Sequence, residues 1–76
     1  MAEMTDDEPM IPQQRVLNGL RKRIAEGEWN HGERLPSARD LATEYNTSHG
    51  TVWKALRTLE QMNLITILDR YGTYRR

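Results

Sequence analysis

PSARDLATEYNTSHGTVWKALRTLEQ, residues 36–61, holds two helical patterns with a break between them. In its second half Val52, Ala55, Leu56 and Leu59 recur at i, i+3, i+4 and i+7, a narrow apolar stripe on one side of a helix. Gly50, Lys54, Arg57 and Gln61 then point the opposite way, with Thr51 and Trp53 at the flanks of that polar face. Thr47 or Ser48 is placed to cap this helix. In the first half Ser37 starts a shorter helix whose buried face is Leu41, Ala42 and Tyr45. The Ser37 side chain can accept from the Asp40 N–H, and Asp40 can reach back, a capping-box arrangement. Asn46 tolerates the left-handed conformation that ends a helix, and Pro36 disfavours helix at Leu35.

Toward the N-terminus, Val16, Leu17, Leu20 and Ile24 predict a first helix from about Pro12 to Glu26. Arg15, Arg21, Lys22 and Arg23 fall on its other faces, and Gly27 is its stop. The connection over 28–36 carries one aromatic residue, Trp29, expected to close a small core. Gly32 gives a turn, and Arg34–Leu35 reads as a very short strand. Toward the C-terminus, Asn63 suits a helix end and Leu64-Ile65-Thr66-Ile67-Leu68 is β-rich. Asp69-Arg70-Tyr71-Gly72 is turn-like, and Thr73-Tyr74-Arg75 is the return strand. Two strands alone are unstable, so they must pack on the helices. The expected class is mainly α with a small β-hairpin: three helices plus a wing, a winged helix-turn-helix over residues 12–76.

Seventy-six residues hold one domain and leave no room for a separate effector-sensing domain. There is no cysteine, which removes disulfide scaffolds, thiolate metal sites and cysteine nucleophiles, and is compatible with the reducing cytoplasm expected as its location. No apolar run approaches the roughly 18 residues of a membrane span. His31 and His49 are the only histidines, and no triad or metal-ligand spacing surrounds them. The expectation is a protein that is no enzyme and uses no metal or cofactor. The formal net charge is zero, but Glu3, Asp6, Asp7 and Glu8 all fall within the first ten residues, where no Lys or Arg occurs. Residues 11–76 therefore carry 11 basic against 7 acidic side chains, a balance of +4. Residues 1–11 read as a flexible acidic tail, or as a tail that competes for the basic surface.

A helix held by one side, with a cationic opposite side and short polar residues at its N-terminal end, suits entry into a groove of double-stranded DNA. Ser48, His49, Gly50 and Thr51 let that end approach closely, and its free N–H groups favour phosphate. Lys54 and Arg57 are the general phosphate contacts. Trp53 either folds back on the core edge or packs against sugar or a thymine methyl. A competing expectation is a protein-interaction module using the third helix and Trp53, which the zero net charge favours.

These residues also carry a family resemblance. Gly27-Glu28-Trp29, Gly32-Glu33-Arg34-Leu35-Pro36-Ser37-Ala38-Arg39-Asp40-Leu41-Ala42, Ser48-His49-Gly50-Thr51-Val52, Ala55-Leu56, Leu59, Leu64-Ile65 and Gly72-Thr73 resemble the GntR family of bacterial regulators over about residues 15–76. The resemblance implies a winged-helix fold and operator binding, usually by a homodimer on a pseudo-palindromic site. It implies that Arg39 lies near DNA from the second helix and that Ser48, His49, Gly50, Thr51 and Trp53 form the recognition surface. It implies a wing tip of Asp69, Arg70, Tyr71, Gly72 and Thr73 reaching toward a minor groove. The chain departs from the family pattern at several places. His49 and Trp53 stand where arginine is common, Gly50 where a side chain is common, and Arg70 in place of the first wing glycine. His31 stands where proline is usual and Asn63 where glycine is usual. The family also carries a C-terminal effector or dimerisation domain.

Overall fold

Helix α1, Pro12–Ala25, begins with proline in its first turn, where a missing N–H costs nothing. The computed structural model describes residues 11–68 and 70–76. The acidic stretch read over 1–11 therefore lies, apart from Ile11, outside the described residues. Two further helices follow, α2 at Ala38–Glu44 and α3 at His49–Gln61, and then an antiparallel hairpin of β1, Ile65–Leu68, and β2, Gly72–Arg75. This is the expected three helices and wing.

All three helices stop in the same way. The residue after each C-cap is left-handed: Gly27 at φ 83°, Asn46 at 54° and Asn63 at 62°. In each case two backbone N–H groups fold back onto the last turn, as with Gly27 to Ile24 O at 3.0 Å and Glu28 to Arg23 O at 3.0 Å. Asn46 and Thr47 repeat this on Thr43 O and Ala42 O, and Asn63 and Leu64 on Glu60 O and Leu59 O. Asparagine substitutes for glycine here because its short polar side chain tolerates that backbone region. Ser37 Oγ accepts from the Asp40 N–H at 3.1 Å, so the α2 cap is as read. The return bond from Asp40 is not among those of the described residues. A capping box uses Glu or Gln, and Asp is one methylene shorter.

The core is one cluster. Val16, Leu20 and Ile24 of α1 meet Leu41 and Ala42 of α2 and Val52, Ala55, Leu56 and Leu59 of α3, closed by Trp29, Leu35 and Ile65. Burial of these apolar faces is the main stabilising term. The hairpin does not stand alone. Residues 32–35 run along the free edge of β2: Leu35 N–H donates to Thr73 O at 2.8 Å, Arg75 N–H to Glu33 O at 2.9 Å, and Arg34 bridges Tyr74. Glu60 Oε2 of α3 accepts from the Ile67 N–H at 3.0 Å, tying β1 to that helix.

Arg23 joins α1 to both neighbouring segments. Its guanidinium makes a bidentate pair with Glu28, both contacts at 2.7 Å, reaches Glu44 Oε2 at 2.9 Å and Tyr45 Oη at 3.2 Å, and lies 4.8 Å from the Trp29 ring centroid. Hydrogen bonding to Arg23 holds the Glu28 carboxyl below the ordinary glutamate value of 4.5. Its folded-state pKa is lowered, so its stabilisation is complete above the unfolded glutamate range and fades as pH falls through the folded value. Glu28→Gln is expected to lower the urea midpoint at neutral pH, with the two proteins converging as the buffer is acidified. A pH-independent difference between them contradicts this pairing.

Candidate nucleic-acid interface

The inner side of α3 is sealed: Val52, Ala55 and Leu59 are fully buried and Leu56 nearly so. Its outer side is open, with His49, Gly50, Lys54, Arg57 and Gln61 exposed and Thr51 half-buried. Ser48 fixes the start of the helix. Its Oγ accepts from the Thr51 N–H at 3.2 Å and donates to Thr51 Oγ1 at 3.0 Å. A Cβ built on Gly50 meets nothing within 4 Å, so bare backbone faces open space there. Arg39 is exposed on α2, two helical positions beyond the Ser37 cap. Glu60, the acidic residue of α3, is turned to the hairpin by its bond to Ile67, away from this surface.

Beyond α3, the hairpin offers Arg70 and Tyr71, both exposed, and Leu68, 46% exposed. Arg70 is left-handed at φ 72°, so the turn takes the backbone a glycine would take, with the strain of a side chain added. Gly72 is half-buried at φ 114°. Asp69 lies outside the described residues. Thr73 corrects the expectation of a wing-tip contact. It is 6% exposed, because alternation along β2 turns its side chain inward between Gly72 and Tyr74.

Trp53 is not among the buried core residues. It is 38% exposed and lines a cleft of about 270 Å³ between α3 and the hairpin, with Arg34, Ala38, Ile67, Leu68 and Arg70 among the other walls. For Arg34 and Leu68 the sequence signal for a place in this cleft is weak. Arg34 precedes Leu-Pro in a connection, and its place in the cleft depends on pairing with a strand forty residues away in the chain. Among the described residues no group of three or more His, Cys, Asp or Glu side chains could hold a metal ion, and no helix is long and apolar enough to cross a membrane.

Three helices with one side of the third left open, and a hairpin beside it, define a winged helix-turn-helix domain. The family model for bacterial regulatory proteins of the gntR family matches residues 12–74, and the chain belongs to that family. It is 43% identical over 65 residues to the uncharacterized HTH-type transcriptional regulator YjiR of Escherichia coli, a match covering 86% of this chain and 14% of that protein. It is 36% identical over 59 residues to the mannosyl-D-glycerate transport/metabolism system repressor MngR of E. coli, covering 78% of this chain and 25% of the repressor. S. agalactiae BusR, solved in complex with its busAB-promotor DNA, superposes with a TM-score of 0.78 at 27% identity, covering 88% of this chain and 33% of BusR. The chain thus spans a quarter or less of the length of these two curated relatives. The names of these two relatives are those of a transcriptional regulator and a repressor.

Proposed function

We propose that this chain acts as a repressor's operator-binding domain, with α3 in the major groove and the Arg70–Gly72 turn at the adjacent minor groove. The observation that carries the reading is the division of α3: one side wholly buried, the other exposing Gly50, Lys54 and Arg57, with Arg39 of α2 and Arg70 of the hairpin also exposed. The name of MngR supports repression, and the promotor-DNA complex of BusR supports DNA as the partner. Two copies are proposed to meet on a pseudo-palindromic operator, as two-fold symmetric half-sites require, and the cytoplasm is the proposed location. Lys54 and Arg57 neutralise phosphates. His49, Thr51 and Trp53 meet base edges or the sugars beside them, and Ser48 caps the helix while its hydroxyl hydrogen turns from Thr51 Oγ1 to a phosphate.

The test is a titration with duplex DNA at low salt, followed by amide chemical shifts. Shifts concentrated over residues 47–57 and 70–72 are expected. Selection of bound duplexes from a random pool should then give different preferred sequences for the wild type and for His49→Ala or Thr51→Val, because these side chains reach base edges. Shifts over 47–57 that ignore duplex DNA would sink the proposal.

A further inference from the structure

We infer that the cleft between α3 and the hairpin seats the sugar–phosphate backbone of one DNA strand, and that Arg34, outside both helix-turn-helix and hairpin, is a phosphate contact there. The inference rests on the DNA-binding reading and adds to it a residue and a surface. The cleft has two guanidinium groups, Arg34 and Arg70, and no carboxylate among its described lining residues. Neither guanidinium has a hydrogen-bond or ion-pair partner among the described residues. The rest of the wall is mostly apolar, with Trp53, Ile67, Leu68 and Ala38 beside the hydroxyls of Ser37 and Thr73. A DNA strand presents the matching alternation, charged phosphate and then an apolar sugar face.

Arg34 is held in place for this. Its backbone is clamped to β2 by the Leu35 and Arg75 hydrogen bonds on either side of it, at 2.8 and 2.9 Å. Its side chain occupies the space that a side chain at position 72 would fill. A Cβ on Gly72 would lie 2.6 Å from Arg34 Nε and 3.1 Å from Cζ. The missing side chain at Gly72 therefore serves two purposes, the positive φ of the turn and room for the guanidinium. Arginine suits this place because its planar fork stays charged and donates to two phosphate oxygens at once. Trp53 supplies a flat apolar surface for the sugar between the two cations.

The experiment measures the affinity of the 76-residue chain for a random-sequence duplex as salt is raised. Each phosphate neutralised contributes about 0.9 to the slope of log K against log salt. Arg34→Gln is expected to reduce that slope by about 0.9 and to weaken binding to all sequences alike, while Arg34→Lys retains the slope. On a selected duplex carrying one neutral methylphosphonate at a time, one position should weaken the wild type and leave Arg34→Gln indifferent. A thermal melt of each variant shows whether the domain remains folded, and the lysine variant keeps the test decisive if glutamine loosens the hairpin. An Arg34→Gln protein with the wild-type slope and the wild-type phosphate profile overturns the inference alone. A wild type that binds no duplex at all overturns the DNA reading and this one with it. If the Trp53 indole resonance moves with a peptide of residues 1–10 and not with duplex, the cleft belongs to an acidic peptide, and the inference fails.

Discussion

Replacing Lys54 and Arg57 together by alanine is expected to weaken duplex binding about a hundredfold near 0.1 M salt, with no change in sequence preference. The size follows from counterion release. With a slope of about −0.9 per phosphate, each contact accounts for roughly one decade of affinity at about 0.1 M salt. Two contacts give about two decades, and the slope itself falls by about 1.8. Both side chains are exposed, and neither has a side-chain bond within the domain among the described residues. Stability should therefore stay within about 0.5 kcal/mol of the wild type. Equilibrium binding at several salt concentrations, beside a denaturant melt, separates the two effects. An unchanged salt slope in the double variant would show that α3 meets DNA by another face or not at all. The contrast with His49 and Thr51 is part of the prediction, since those substitutions should reorder preferred sequences and leave the slope nearly intact.

How much of this was legible in the sequence depends on the range of the interaction. The stripe of Val52, Ala55, Leu56 and Leu59 has the period of a helix, and a period is local. The same holds for Ser37 and Ser48 as caps, and for Gly27, Asn46 and Asn63 as left-handed stops. Thr73 was misplaced because strand phase is not local. Which of Gly72, Thr73 and Tyr74 faces inward depends on where the hairpin turns, and a shift of one residue exchanges every side chain between faces. The edge formed by residues 32–35 on β2 and the Arg23 contacts to Glu44 and Tyr45 were also out of reach. Each joins positions twenty or more apart, with no periodicity linking them. The candidate surface on α3 could thus be read from spacing, while the cleft walled by Arg34 and Trp53 needed the packed hairpin.

The second large effect comes from a residue far from any groove. Trp29→Ala is expected to lower the unfolding free energy by about 3–5 kcal/mol. A domain of 76 residues has about 4–11 kcal/mol in total, so this one change removes at least about a quarter of it and, at the lower end, nearly all. Trp29 lies in a connection, yet it is 5% exposed and packs into the same cluster as α1, α2 and α3. Its ring carries Arg23, and its backbone carbonyl accepts from Arg75 Nη1 at 3.1 Å. Truncation leaves a cavity under the guanidinium that links Glu28, Glu44 and Tyr45, so the loss spreads to the relative placement of α1 and α2. Trp29→Phe keeps an aromatic surface beneath Arg23 and should cost clearly less. Denaturant unfolding of the three proteins measures the series. A loss below about 1 kcal/mol for alanine would mean that the core closes without Trp29. The DNA-binding consequence is opposite in kind to that of the Lys54/Arg57 pair. Those substitutions remove charge from a helix that stays in place. Loss of Trp29 removes the packing that keeps the inner stripe of α3 engaged, and binding should fail in proportion to the unfolded fraction.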